Sequence, residues 1–495
     1  MSRANKRCHS GQRLTEIVLF LVLAVSYAYT FPRWADPNQN SRLDMVFAIV
    51  EDGTLRIDKY VANTVDYARV GEHYYSDKAP GVAFLGVPLY AGLKLVLDQP
   101  IIEGIMSRLE ENTAFKATLR PEGTGLLEHK VRFALAQIFL TLAISILPSA
   151  LLGVLIYRVV ARLKLNQWSR LSIALGYGLL TPVFAYAGAF YGHQLSAVLL
   201  FAAFHLVFIL QGQPSAARLA LVGLFLGYSV VSEYPAFLIA AVLGVYTLAK
   251  LYQMGCWRRL VWVVLTAGMV GAGLMAYNAY VFGSPLDLGY SHSELWQSQH
   301  QAGFISLTRP HWQAIWGITF SPYRGLFLYS PFLLLAIPGF WLWWRTREMR
   351  SEFWLALTSV LALFLFISSS IMWWGGFAVG PRYLLPMLPF LALPIAFTFR
   401  RWDHLTGFKL LIAALFLWSL VVVWGLTLAG QAFPSDAILN PWLDYALPNW
   451  LAGDIARNLG TLLGLPGFWS LAPLLGIIGM IGLGWYAKVG RLHAS

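Results

Sequence analysis

Apolar runs of about 18 to 22 residues recur from one end of the chain to the other, each the length an α-helix needs to cross roughly 30 Å of hydrocarbon. A chain built this way has few choices. Inside a bilayer every backbone N–H and C=O must be paired, so the runs are helices unless the chain closes into a barrel. A barrel would show strands of about ten alternating residues, and the pattern is not there. Of 495 residues, 58% are hydrophobic and 12% charged, against about 25% charged in a soluble domain, which excludes an ordinary soluble enzyme. The fold class expected is an all-α polytopic membrane protein.

Spans are expected near residues 14–31, 133–157, 170–189, 194–211, 217–232, 235–252, 260–282, 325–344, 352–372, 383–399, 408–430 and 468–487. Lys and Arg then fall in alternate connectors: Arg3, Lys6, Arg7 and Arg13; Arg158, Arg162, Lys164 and Arg170; Lys250, Arg258 and Arg259; Arg345, Arg347 and Arg350; Arg400, Arg401 and Lys409; Lys488 and Arg491. The positive-inside rule makes that side cytoplasmic. The net charge of +12 is therefore a topology signal, and no nucleic-acid partner is expected. The chain divides into a cytoplasmic N-terminus (1–13), a first transmembrane helix (14–31), an extracytoplasmic loop (32–132), a helix bundle (133–430), a second external loop (431–467), and a last helix with a cytoplasmic tail (468–495). No small-residue cleavage site follows Phe31-Pro32-Arg33-Trp34, so the first span is read as a retained anchor. Cys8 and Cys256 both lie toward the cytoplasmic side, where they cannot staple the external loops. Zinc-type spacings, GxSxG, Walker and GxGxxG motifs are absent, as are internal repeats of the kind secondary transporters show.

The unusual polar clusters collect on the external side, most of them in the loop 32–132. Leu43, Val46, Phe47 and Val50 follow helical spacing and predict a short helix with one apolar face along the bilayer surface. Ser41 and Asp44 have capping-box spacing at its start, which makes Asp44 a cap, and Gly53 offers a stop. Arg42 would then lie in the first turn, where the helix dipole disfavours a cation, so it calls for a carboxylate or a bound phosphate from outside the helix. A second element follows Ser76-Asp77-Lys78-Ala79-Pro80-Gly81: an apolar stretch from Val82 to Leu97, interrupted by Pro88 and read as a re-entrant or interfacial helix. Its free backbone N–H groups and the charge of Lys78 suit a phosphate, the alternative being a Lys78 that merely snorkels to headgroups.

This order of parts resembles the GT-C glycosyltransferases, particularly bacterial aminoarabinose transferases and protein O-mannosyltransferases. Those have one span, a long external loop with juxtamembrane helices, an early Arg, and a Lys-Pro-Pro-Leu-like motif, here Lys78-Ala79-Pro80-Gly81. The resemblance implies a GT-C-like bundle of about 12 transmembrane helices. It implies a catalytic Asp in the loop, with Lys78 and Arg42 on the phosphate of a polyprenyl-phosphate sugar donor. At residue level it is confined to Arg42 and Lys78, and Gln39-Asn40 stands where relatives carry an Asp-Glu pair.

Four aspartates compete for the base. Asp36 follows the first span directly, the family's catalytic location, although Asp36-Pro37-Asn38 is also an ordinary turn. Asp58 lies between the two loop helices with no local capping task; Asp66 ranks behind these two, and Asp77 could simply cap the second helix. The short external corners add His193, Glu233, and the Gly-rich turn Gly380-Pro381-Arg382-Tyr383, where the planar fork of Arg382 suits a phosphate. Trp373-Trp374 reads either as part of this set or as an aromatic belt. The segment 431–467 reads as a cover over the site or a plain loop.

The function expected is inverting transfer of a sugar from a polyprenyl-phosphate donor to a hydroxyl of a glycan, lipid or protein acceptor. Asp58 or Asp36 would be the base, and Lys78, Arg42 and Arg382 the phosphate contacts. Asp66, Asp77, His193, Glu233 and Tyr383 would line the substrate. The chemistry calls for no cofactor and, without an Asp-x-Asp motif, no metal. Membrane lipids are the surroundings, and the expected location is the bacterial inner membrane with an extracytoplasmic site. The rival reading is a transporter or flippase of a lipid-linked sugar, which charged residues in mid-span would favour.

Overall fold

A computed structural model describes residues 3–34, 36–111, 130–300 and 306–494. In chain order the principal elements are α1 (Arg3–Ala28), α2 (Pro37–Glu51), β1 (Tyr67–Val70), β2 (His73–Ser76), α3 (Gly81–Leu97) and α4 (Pro100–Glu111). They continue as α5 (Lys130–Ala161), α6 (Gln167–Leu179), α7 (Gly192–Phe208), α8 (Ala216–Ser232), α9 (Tyr234–Gln253) and α10 (Trp257–Phe282). The last are α11 (Ala336–Thr346), α12 (Arg350–Ser368), α13 (Arg382–Trp402), α14 (Thr406–Leu428) and α15 (Gly467–Lys488). A helix occupies each of the twelve expected spans, but only eight are long and apolar enough to cross a membrane: α1, α5, α9, α10, α12, α13, α14 and α15. The other four, α6, α7, α8 and α11, have 13, 17, 17 and 11 residues. Proline accounts for two of these. α6 stops ahead of Pro182 and resumes as Val183–Ala187, and the run into α11 is broken at Ser330-Pro331 into a turn of 3₁₀-helix.

Side chains tie the basic connectors together at one end of the bundle. Arg158 meets Glu16 at 2.6 Å, Lys250 meets Glu352 at 2.8 Å, Arg400 meets Glu348 at 2.8 Å, and Asn166 donates to Asp403 at 2.6 Å. α13 is the axis of the bundle, buried continuously from Leu388 to Phe399.

The first loop builds a second core instead of lying on the bilayer surface. Leu43, Val46 and Phe47 of α2 pack with Val82, Ala83 and Tyr90 of α3, with Phe133, Ala134 and Leu140 of α5, and with Tyr277 and Val281 of α10. α2 is thereby buried from Asn38 to Ala48, polar face included, because its polar residues find partners: Arg42 at Glu233 after α8, Gln39 at Phe190 ahead of α7, and Asn40, Ser41 and Asp44 within the loop itself. Its start also differs from the expected capping box. Asp36 is the N-cap, accepting from the Gln39 N–H at 3.1 Å, and Pro37 takes the first helical position, which needs no N–H. Ser41 and Asp44 are interior: Ser41 bonds Ser76 at 2.8 Å, and Asp44 accepts from Asn63 at 3.0 Å. Lys94–Glu51 and Arg132–Asp98 contacts, each at 2.6 Å, fasten α2, α3 and α5 together.

The antiparallel hairpin β1–β2, registered Tyr67↔Ser76 to Val70↔His73, is an element the periodicity did not predict. It turns at Gly71, φ +61°, a backbone region glycine enters without strain, and is joined by an isolated bridge from Ala68 to Ser293. α3 and α4 meet at 92°, a broken span or a re-entrant element. Asp77 is not the cap of α3: that position is Pro80, which makes no side-chain cap bond. Residues 112–129 of the expected loop lie outside the described residues.

Candidate active site

Where the loop meets the helix ends opposite the basic connectors, a charged cluster forms. The chain leaving α1 is pinned first: Arg33 donates to the Thr427 carbonyl at 2.5 Å and lies over the Phe433 ring at 4.5 Å. This delivers Asp36 to the start of α2. Its Oδ1 accepts from Gln39 N, and its Oδ2 accepts from the Tyr191 hydroxyl at 2.6 Å. Nearly two turns later along α2, Arg42 reaches Glu233 at 3.2 Å, and its guanidinium also bonds the Asn38 carbonyl at 3.0 Å and the Asn38 side chain. The carboxylate required by a buried Arg42 is thus Glu233, at the end of α8. The same Glu233 oxygen meets His193 Nδ1 at 3.2 Å, and His193 Nε2 is buried without a partner among the described residues.

Lys78 is gripped by Asp66 at 3.0 Å and Asp77 at 3.1 Å, and Ser293 donates to Asp77 at 3.1 Å. Arg382 enters from the start of α13. Its guanidinium lies over Tyr191 at 5.3 Å and Tyr383 at 5.4 Å, and it donates at long range to the Tyr191 hydroxyl, 3.4 Å, and the Phe377 carbonyl, 3.5 Å. Among the described residues Arg382 has no carboxylate in ion-pair range, and its Nε is buried with no acceptor. The turn before it is held by Arg324, fully buried, which donates to the carbonyls of Tyr323, Trp374 and Gly376 at 2.9–3.2 Å.

Burial sets the electrostatics. It pushes Asp36 above the ordinary carboxylate range, with Tyr191 and Arg382 working the other way. Asp77 is raised by the same burial, against the pull of Lys78. Burial works against the Lys78 ammonium, but Asp66 and Asp77 overcome it, so Lys78 is held above the usual lysine value and stays charged. For Glu233, burial is outweighed by His193 and Arg42, which hold it below the usual range.

Asp36, Arg42, Asp66, Asp77, Lys78, His193, Glu233, Arg382 and Tyr383 are therefore brought together. Asp58 is not. It is half exposed, accepting from Tyr74 N at 2.7 Å and paired with His73 at 2.8 Å, where it holds the turn end of the hairpin. Sequence reasoning gave no role to Tyr191, Arg33, Arg324 or Ser293, although Tyr191, two residues from His193, and Arg324 lie in the polar external corners it singled out. Trp373 belongs to no belt, being buried against Tyr323 and Trp374. Among the described residues no three His, Cys, Asp or Glu side chains are grouped as metal ligands.

No family model matches the chain, and no curated protein matches it. Among solved structures it is similar to ArnT from Cupriavidus metallidurans, in crystal structures bound to undecaprenyl phosphate and in the apo state. Each match has 16% identity and a TM-score of 0.45, covering 99% of this chain and 76% of that one. It is also similar to the Archaeoglobus fulgidus oligosaccharyltransferase in the apo form, with 11% identity and a TM-score of 0.44, covering 83% of this chain and 55% of that one.

Proposed function

We propose that the chain is an integral-membrane glycosyltransferase that takes a sugar from a polyprenyl-phosphate donor on the extracytoplasmic face and passes it, with inversion, to an acceptor hydroxyl. The observation that carries this reading is the meeting of Asp36 with Arg42, Lys78 and Arg382 at the ends of the helices, all buried, beside a loop that packs down on them. A carboxylate lifted above its ordinary pKa by burial suits a general base, and three fixed cations suit a departing phosphate. Asp36 would take the acceptor proton as that oxygen forms its bond to the anomeric carbon. The bond from that carbon to the phosphate oxygen breaks on the opposite face, and the electron pair leaves with the lipid phosphate. Arg382, with no carboxylate to give up, is the cation best placed to receive it. Arg42 and Lys78 add charge from behind their own carboxylates. The acceptor would be a glycan, lipid or protein, and the setting the bacterial inner membrane.

The test follows release of free polyprenyl phosphate in native membranes. Asp36→Asn is expected to abolish release and Asp58→Asn to keep it. Equal release from wild type and Asp36→Asn would overturn the base assignment, and movement of intact donor across the membrane without release would favour a flippase.

A further inference from the structure

We propose that Tyr191 is a positioning residue of this site, whose hydroxyl aims the Asp36 carboxylate and ties it to Arg382, so that base and leaving-group anchor respond to each other. This rests on the roles given above to Asp36 and Arg382. With Oδ1 of Asp36 committed to the Gln39 N–H, the 2.6 Å bond from Tyr191 to Oδ2 fixes the second oxygen and leaves the carboxylate one orientation. A phenol has one proton to donate, and Arg382 can only donate. The direction is therefore set: Arg382 to the Tyr191 oxygen at 3.4 Å, then Tyr191 to Asp36.

The ring is fully buried. It touches Tyr186 at 5.4 Å and Phe433 at 6.3 Å, with the Arg382 and Arg42 guanidinium groups at 5.3 and 6.0 Å. Phenylalanine would satisfy every one of those ring contacts, so the packing does not require the hydroxyl. Buried among aromatic rings, an O–H costs stability unless it is bonded, and here its bonds go to the two groups assigned the chemistry. The charged and titratable groups that act on Asp36 are Arg33 on its own linker, Tyr186 and Tyr191 ahead of α7, Arg382 from α13, and Asp66 ahead of β1.

The experiment measures binding of undecaprenyl phosphate to the purified full-length chain in lipid nanodiscs as a function of pH, for wild type, Tyr191→Phe, Asp36→Asn, and a protein carrying ring-fluorinated tyrosine at position 191. Wild-type affinity is expected to fall in a step as pH rises, because the ionised Asp36 repels the phosphate that Arg382 attracts. Asp36→Asn should lack that step. Tyr191→Phe removes a donor to the charged carboxylate and should move the step upward by about one pH unit, whereas the fluorinated ring, a stronger donor, should move it downward. A step at the wild-type pH in Tyr191→Phe overturns the proposal. If that variant does not fold, an unmoved step in the fluorinated protein does the same, as does a step that survives in Asp36→Asn. Wild type that binds no undecaprenyl phosphate at any pH overturns the reading of the site itself, and with it this role for Tyr191.

Discussion

Arg382, Arg42 and Lys78 differ in what already holds them, and the difference sets what each can do. An anion arriving at Lys78 must share it with Asp66 and Asp77, whereas at Arg382 it meets, among the described residues, neutral phenols and a carbonyl. Lys78→Ala should lower transfer about a hundredfold, the usual cost of one charge contact to a transition state, and Arg382→Ala by at least as much, both read as donor turnover in native membranes. Because burial raises Asp36 and a base must be ionised to act, the acid limb of turnover should lie above the ordinary carboxylate range, with rate rising as pH climbs through it. A limb at the ordinary carboxylate value would count against Asp36. Glu233→Gln strips a buried Arg42 of its carboxylate and should cost about 3–5 kcal/mol, seen as a lower unfolding temperature. Sequence alone ranked Asp36 and Asp58 together, because order along a chain does not say which carboxylate is covered. His73, the neighbour that claims Asp58, is 15 residues away, and Tyr191, the one that claims Asp36, is 155 residues away.

Among the elements, α2 was legible by its apolar spacing but not by its surroundings. Periodicity shows one apolar stripe; it does not show that Gln39, Asn40 and Arg42 on the other side have partners waiting at Phe190 ahead of α7, in the loop around Asn63, and at Glu233 after α8. The hairpin was invisible for a simpler reason: its strands have four residues each, too few for alternation to register. Close backbone approach holds these elements at the site. A Cβ on Gly81 would come within 2.8 Å of Ser232 N, and one on Gly192 would overlap the Ser232 carbonyl, so α3 and α7 both press on the end of α8 next to Glu233. Gly192→Ala should therefore destabilise by about 1–3 kcal/mol. Gly244→Ala, in open space on α9, should be neutral or slightly stabilising, the pair being compared by thermal unfolding in detergent. Equal melting temperatures would mean that the contact at Ser232 yields easily.

For the molecule as a whole, hydropathy located a helix at each of the twelve expected spans and overstated two of them, 170–189 and 325–344, because it registers apolar surface and is blind to the breaks made by Pro182 and Pro331. The gathering of basic connectors at one end gives an orientation that cysteine labelling checks. In a background without Cys8 and Cys256, Glu72→Cys should react with an impermeant reagent applied to intact cells and Arg162→Cys should not, and the opposite result would invert the topology. The long sequence separations in the cluster also impose a schedule on synthesis. Glu233 is made 191 residues after Arg42, which at about 5–20 residues per second is a delay of roughly 10 to 40 s. Until then Arg42 has Asn38, made four residues before it, but not Glu233, and Arg382 follows Tyr191 by the same separation again. The nascent chain thus passes the greater part of its translation with the parts of the site unjoined. A chain arrested before α13 would carry the carboxylate and its tyrosine but lack the arginine that answers them, so the proposed site is completed late and all at once.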